Sequence, residues 1–171
     1  MRILISIIGD SETENLEQLT FAERLGEELA KRGYVIVCGG RGGVMEAVAK
    51  GAKKQGGITI GILPSIHKRE ANPYIDIALP TGMGFARNII TALAGDVIIA
   101  IGGKSGTLTE ISYAWMFGKP IIAVKGFGGW SEQLAGSRID ERRRDIIYSA
   151  ETVDGVISLL EKILKQKKSL D

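Results

Sequence analysis

The sequence has very few of the residues that bind metals or form disulfides. Of its 171 residues only Cys38 is a cysteine, so no intrachain disulfide can form, and only His67 is a histidine. A single histidine excludes the common zinc and di-iron sites, which need several imidazole or thiolate ligands. We therefore expect no metal site, no required cofactor, no dependence on an oxidising compartment and a cytoplasmic location.

Long apolar runs and strong charge asymmetry are also absent. The apolar residues 3–8 are too few to cross a bilayer and lack a cleavage pattern, which argues against an anchor or signal peptide. The chain has 22 Lys and Arg and 20 Asp and Glu, a net charge of +2. Because no continuous basic stripe forms, we expect no nucleic-acid or membrane partner. The basic residues 162–168 are interpreted as a solvated helix end.

Short apolar runs alternate with helical patterns along the whole chain. Runs rich in Ile and Val, typical of strands buried on both faces, lie at residues 3–8, 34–37, 58–62, 97–101 and 121–124, with weaker candidates at 75–79 and 145–148. Helical patterns occupy residues 16–31, 44–54, 84–94, 107–117 and 153–167. This order predicts an α/β, Rossmann-like, doubly wound parallel sheet in three α/β/α layers, one domain spanning residues 1–171.

Glycine is in excess, with 23 residues, about twice its average share. A first cluster follows the predicted strand 34–37 and consists of Gly39, Gly40, Arg41, Gly42 and Gly43. Glycines at such a turn let backbone N–H groups approach an anion at the positive end of a helix. The spacing matches neither the dinucleotide fingerprint nor the P-loop. The alternative is a tight strand-to-helix turn without a ligand.

A second cluster follows the predicted strand 97–101 and opens a helix. It consists of Gly102, Gly103, Lys104, Ser105, Gly106 and Thr107. We predict that the amides of residues 103–107 and the Ser105 and Thr107 hydroxyls converge on one oxyanion. Both clusters fall at the carboxyl ends of strands, where doubly wound sheets bind their ligands. The sequence therefore predicts a site for a small phosphorylated ligand.

Three further side chains are candidates for this site. Glu110 lies one turn into the predicted helix 107–117, where it either closes a capping box with Thr107 or acts on the ligand. Arg87 stands in an otherwise apolar helical segment, as a site residue or a solvated one. Trp130 follows the strand 121–124, placed either to stack on a planar base or pterin or to fold onto the domain as a flap.

Taken together, residues 2–124 resemble the LOG-like superfamily. It includes cytokinin-activating nucleoside 5′-monophosphate phosphoribohydrolases, molybdenum cofactor carrier proteins and proteins once labelled lysine decarboxylases. Residues 39–45 resemble the family's GGGxxGLMG segment, and residues 103–110 resemble its PGGxGTxxE motif. The separation of 23 residues between Arg87 and Glu110 is also that of the catalytic pair in the phosphoribohydrolases.

Departures from these motifs make the chain more similar to the molybdenum cofactor carrier-like branch. Gly102 stands in place of a Pro, Lys104 in place of a Gly and Asn88 in place of a Lys. The resemblance implies one of two functions. Either Arg87 and Glu110 hydrolyse the N-glycosidic bond of a nucleoside 5′-monophosphate, or the protein carries molybdenum cofactor or a related phosphorylated pterin as cargo without chemistry. It also implies a homo-oligomer, either a dimer or a tetramer.

Overall fold

The computed structural model describes residues 1–168, and within them seven strands form one parallel sheet. The strands are β1 (Leu4–Gly9), β2 (Val35–Cys38), β3 (Thr59–Leu63), β4 (Ile77–Pro80), β5 (Val97–Ile101), β6 (Ile121–Val124) and β7 (Tyr148–Ala150). Their spatial order is β4-β3-β2-β1-β5-β6-β7. The chain thus adds strands outward from β1 to β4, returns to the other side of β1 for β5, and continues to β7.

Helices cover both faces of this sheet, which confirms the predicted three-layer, Rossmann-like architecture. They are α1 (Leu16–Lys31), α2 (Val44–Lys54), α3 (Asn88–Ala94), α4 (Ser105–Met116), α5 (Gly129–Leu134) and α6 (Val153–Lys168). Strand β5 shows why two layers are needed. Val97, Ile99 and Ile101 pack with α1, α2 and α6, whereas Ile98 and Ala100 pack with α3 and α4. No helix in the described residues is long and apolar enough to cross a membrane.

The order of strands reverses between β1 and β5. These two strands pair in parallel from Ile5 opposite Val97 to Gly9 opposite Ile101, so their carboxyl ends lie side by side. The connections that leave them run to opposite sides, β1 toward α1 and β5 toward α4. This divergence opens a crevice at the edge of the sheet, at the place where ligands bind in doubly wound folds.

Several predicted boundaries were wrong. Helix α3 begins at Asn88 because residues 84–87 form a 3₁₀ turn, and α4 begins two residues earlier than predicted. Strand β7 lies at residues 148–150 instead of 145–148. The short helix α5 was not predicted, since six residues show little periodicity. Lys167, interpreted as part of a solvated helix end, donates to the Asp96 carbonyl at 3.0 Å. Residues 169–171 of the predicted domain lie outside the described residues.

Candidate functional site

A cleft of two connected lobes opens at the crevice between β1 and β5. The first lobe has a volume of about 140 Å³. It is lined by Ile7, Ile8, Gly9, Asp10, Ser11, Glu12, Gly39, Met45, Phe85, Arg87, Asn88, Lys104, Gly106, Thr107 and Glu110. The second lobe, of about 340 Å³, is lined by Ser11, Glu12, Arg41, Gly42, Met45, Pro64, Gly84, Phe85 and Arg87. Five residues are common to both lobes, so the lobes form one elongated cleft.

Arg87 and Glu110 meet at the wall of the first lobe. The Nη1 atom of Arg87 lies 3.5 Å from Oε1 of Glu110, and 11% and 8% of the two side chains are exposed. Arg87 Nη1 also donates to Thr91 Oγ1 at 3.2 Å. A Cβ atom at Gly39 would lie 2.7 Å from both terminal nitrogens of Arg87, so only glycine there leaves room for the guanidinium. The first glycine cluster therefore helps to place this pair.

The pair is electrostatically unusual because both charges are buried. Burial raises the pKa of Glu110 to about 7, and the Arg87 charge opposes this rise. Burial also lowers the pKa of Arg87. The Nε atom of Arg87 is buried and has no hydrogen-bond partner in the described part of the chain. Glu110 thus faces Arg87 instead of closing a capping box, and within the described residues the pair carries a buried donor whose hydrogen bond is unsatisfied.

The N-terminus of α4 forms another wall of the first lobe. The helix begins at Ser105 after the extended residue Lys104, and no side chain of residues 1–168 caps it. Amides in the first turn of a helix have no carbonyl of a preceding turn to bind, and the helix dipole is positive there. Gly106, Thr107 and Lys104 line the lobe. Lys104, Gly106 and Thr107 are therefore suited to contact an anion in this lobe.

The amides of Gly102 and Gly103, in contrast, are already used inside the protein. Gly102 N donates to Ser131 Oγ at 2.7 Å, and Gly103 N donates to Asp10 Oδ2 at 2.9 Å. The carbonyls of the same two glycines accept from Ser131 N and Trp130 N. Of the predicted donors, the amides of residues 103–107, that of Gly103 therefore has an acceptor inside the protein, and Gly102 and Gly103 together anchor the loop to α5 and to Asp10 after β1.

Asp10 is a site residue that sequence reasoning missed. Its Oδ2 atom accepts from Gln18 Nε2 at 2.8 Å as well as from Gly103 N, and its carbonyl accepts from Val44 N at 2.8 Å. A Cβ atom on Gly43 would collide with that carbonyl. Asp10 therefore joins β1, the first glycine cluster and the second glycine cluster. The available signal was its position directly after the first buried strand.

Of the remaining residues in the first glycine cluster, two line the cleft and two shape the turn that carries them. Arg41 and Gly42 line the second lobe. Gly40 is buried, has a φ of +74° and accepts from Asn72 N at 2.9 Å through its carbonyl. Gly43, with a φ of +61°, packs on the Asp10 backbone. Gly40 and Gly43 thus shape the turn that brings Arg41 and Gly42 to the cleft.

Trp130 does not join the other predicted residues. It is half-buried and packs on the apolar cluster beneath α3 and α4, and it is not among the described residues that line either lobe. The aromatic ring at the cleft belongs to Phe85, which is 90% exposed and lines both lobes. Phe85 lies two residues before Arg87 in a glycine-containing turn, and the sequence offered no other signal for it.

Comparison with known proteins places the chain in a family. Residues 2–157 match the model described as the SLOG cluster4 family. The chain belongs to this family. The predicted LOG-like resemblance is thereby confirmed.

Relatives of this SLOG cluster4 protein are named either as phosphoribohydrolases or as proteins that bind or carry molybdenum cofactor. A cytokinin riboside 5′-monophosphate phosphoribohydrolase of Mycobacterium tuberculosis is 33% identical over 121 residues, which are 66% of this chain and 65% of that protein. The molybdenum cofactor binding protein of Rippkaea orientalis is 36% identical in sequence to this chain. Its structure matches with a TM-score of 0.86 over 96% of this chain and 98% of the other. The Moco carrier protein of Chlamydomonas reinhardtii is 32% identical, with a TM-score of 0.83 over 97% and 99%.

Proposed function

We propose that this protein binds a small phosphorylated, nucleotide-like ligand in the cleft and hydrolyses the N-glycosidic bond of a nucleoside 5′-monophosphate. The observation that carries the proposal is the buried Arg87–Glu110 pair, which lines the same lobe as the N-terminus of α4. The relative from M. tuberculosis is named for this class of reaction. A carboxylate and an anion-binding helix end in one small cavity are the parts that such a hydrolysis needs.

The 5′-phosphate binds at the start of α4 in this proposal. The amides of Ser105, Gly106 and Thr107 point out of the first helical turn, and Lys104 adds a positive charge beside them. A dianionic phosphate gains both from these N–H donors and from the helix dipole. The ribose then lies along the lobe toward Arg87 and Glu110.

Glu110 stabilises the ribosyl centre as the bond to the base breaks. The transition state has oxocarbenium character, so positive charge develops at C1′ while the departing base gains an electron pair. The Glu110 carboxylate binds this state more strongly than the neutral substrate, either through the 2′-hydroxyl or by taking a proton from the attacking water. Water supplies the new C1′–O bond, and the products are the free base and ribose 5-phosphate. Arg87 orients Glu110 and favours its ionised form.

The test is to incubate the purified protein with a panel of nucleoside monophosphates and to measure the released base and ribose 5-phosphate. We expect turnover that falls about 10²- to 10⁴-fold in Glu110→Gln. Glu14→Gln, an exposed carboxylate outside the cleft, is the control and keeps full activity. Absence of release from every nucleotide would contradict the hydrolase.

A second function is favoured by the extent of the structural match. The molybdenum cofactor binding protein of R. orientalis aligns with this chain over nearly the whole length of both. In this alternative the protein carries molybdenum cofactor or a related phosphorylated pterin as cargo, and Glu110 has only a structural role. Tight binding of molybdenum cofactor that Glu110→Gln leaves unchanged, without turnover of any nucleotide, supports the carrier. Turnover that depends on Glu110 supports the hydrolase.

We also propose that the protein is a homo-oligomer that uses the face formed by α3 and the end of α4. Trp115 is buried there, but Ile90, Met116 and Phe117 are 36%, 45% and 56% exposed. A second copy of the chain is the occupant we propose for these apolar side chains. Analytical ultracentrifugation tests this: wild-type protein sediments as a dimer or tetramer and Ile90→Glu as a smaller species. A wild-type monomer at micromolar concentration contradicts it.

A further inference from the structure

The second lobe of the cleft has an exposed aromatic ring that the described part of the chain does not cover. Phe85 is 90% exposed and lines both lobes, and it lies on the short 3₁₀ turn Gly84–Arg87. The lobes also share Met45, which is buried and adds a second apolar wall. A flat ring placed on Phe85 removes this apolar surface from water and gains a stacking contact. The lobe is thus suited to a planar heterocycle.

Two charged side chains that line the same lobe are available to form hydrogen bonds with the edge of such a ring. The Glu12 carboxylate makes no hydrogen bond or ion pair within the described residues, although it lines both lobes. A carboxylate only accepts hydrogen bonds, and its two oxygens can accept a pair of adjacent N–H groups. The side chain of Arg41, which only donates, lines the second lobe and is likewise unpaired in the described part of the chain.

The backbone holds Arg41 in position for this role. Asn72 Nδ2 donates to the Arg41 carbonyl at 2.8 Å, and Asn72 is itself buried. The neighbouring Gly42 lines the lobe as well, and a Cβ atom on it would lie 3.1 Å from the carbonyl oxygen of Ser11. The turn that carries Arg41 is therefore packed against the segment that carries Glu12, so one donor and one acceptor are presented to the same ligand.

We propose that this lobe selects a 2-amino-4-oxopyrimidine edge, the edge shared by guanine and pterins, on a ring stacked against Phe85. This inference rests on the proposed binding of a phosphorylated ligand with its phosphate at α4. Glu12 accepts from the ring N–H and the adjacent amino group, and Arg41 donates to the carbonyl oxygen next to them. Adenine fits poorly, because its ring nitrogen at that place is an acceptor whose lone pair faces the Glu12 carboxylate.

The test is isothermal titration calorimetry of the full chain with GMP, AMP, IMP, neopterin monophosphate and ribose 5-phosphate. The titrations are repeated in Glu110→Gln, in which hydrolysis does not consume the ligand. We expect GMP to bind about 5- to 100-fold more tightly than AMP, the range of one well-placed bidentate contact. IMP, which lacks the amino group, binds between the two. Binding of GMP but not of the pterin indicates a nucleotide ligand, and binding of the pterin but not of GMP indicates a pterin. Either result supports selection of the 2-amino-4-oxopyrimidine edge.

Substitutions separate the edge contact from stacking. Glu12→Gln brings the GMP and AMP affinities to within about threefold, whereas Glu14→Gln, its exposed neighbour outside the cleft, keeps the difference. Phe85→Ala weakens GMP and AMP alike and leaves ribose 5-phosphate unchanged, whereas Leu16→Ala, at an apolar side chain that is 77% exposed and lies outside both lobes, changes none of them. Circular dichroism checks that each variant is folded.

The outcomes also separate this inference from the proposed function. AMP binding as tightly as GMP and the pterin, or discrimination that survives in Glu12→Gln, overturns the selected edge but leaves phosphate binding intact. If neither the nucleotides, the pterin nor ribose 5-phosphate binds, the proposed function itself fails.

Discussion

The guanidinium of Arg87 and the carboxylate of Glu110 lie 3.5 Å apart although neither residue is near the other in sequence. One ends the 3₁₀ turn before α3 and the other lies in the second turn of α4. A buried ion pair seldom adds stability, because desolvation of both charges offsets their attraction. We therefore propose that this pair acts on a ligand in the lobe that both side chains line.

The first prediction concerns the pH dependence of hydrolysis. Burial raises the pKa of Glu110 to about 7, and the ionised form is the one that stabilises a cationic ribosyl centre. We expect kcat/KM to increase as the pH rises through about 7 and to level off above it. Initial rates with one nucleotide between about pH 5 and 9 measure this. A rate that instead falls with rising pH would show that the protonated acid is the working form.

The second prediction concerns stability. The folded pKa of Glu110 is raised from 4.5 to about 7, so the folded state holds this proton more tightly than the unfolded state. The stability that this proton gives the folded state is fully present below pH 4.5 and is lost as the pH rises through 7. Glu110→Gln cannot ionise, so it lacks this decrease in the free energy of unfolding, which amounts to about 3 kcal/mol at most in the wild type. Urea unfolding at about pH 5 and 8 compares the variant with wild type, and an equal pH dependence in both proteins contradicts the prediction.

The third prediction concerns Arg87. Because the Arg87 charge opposes the rise in the pKa of Glu110, Arg87→Met raises that pKa further and moves the pH profile of hydrolysis to higher pH. Arg87→Lys keeps a positive charge and shifts the profile less. The profiles of both variants are measured as for wild type. Coinciding profiles would mean that Arg87 does not act on the carboxylate.

The fourth prediction separates backbone strain from steric collision. Gly102 and Gly118 have φ values of +65° and +70°, so Ala is strained at both, by about 1–2 kcal/mol. At Gly102 the new Cβ also collides with the side chains of Asp10 and Gln18, whereas at Gly118 no atom of the described residues lies within 4 Å of it. We expect Gly102→Ala to lose more unfolding free energy than Gly118→Ala and to bind ribose 5-phosphate at least tenfold more weakly. Equal losses in the two variants refute this.

The fifth prediction tests Asp10 as the residue that positions the second glycine cluster. Asp10→Ala leaves the buried Gly103 N–H without its acceptor, which costs about 1–3 kcal/mol of stability. Affinity for ribose 5-phosphate decreases because the loop before α4 loses its anchor. Asp10→Asn keeps an acceptor oxygen and restores most of the affinity. If Asn rescues nothing, the carboxylate has another role.

Local patterns in the sequence were sufficient for the fold class. Strands such as β5 are buried on both faces and are therefore apolar at every position, and the intervening stripes fit helices. Together they predicted a parallel sheet, and glycine clusters after two strands predicted the edge at which the cleft lies. Arg87, Glu110 and residues 104–107 were among the candidates because of their residue types and their places in the predicted elements, and the family resemblance gave the spacing of Arg87 and Glu110 its significance.

Only the tertiary structure decided which groups face a ligand. Periodicity does not encode strand order, and it is the adjacency of β1 and β5 that joins Asp10 to Gly103. The Gly102 amide donates instead to Ser131 on α5, a helix that periodicity did not predict. The direction of a side chain depends on packing between distant segments, so the sequence left Trp130 either at the ligand or folded onto the domain. In the structure Trp130 packs on an apolar cluster and Phe85 lines the cleft. The buried meeting of Arg87 and Glu110, and with it a carboxyl pKa near neutrality, depends on the same long-range packing.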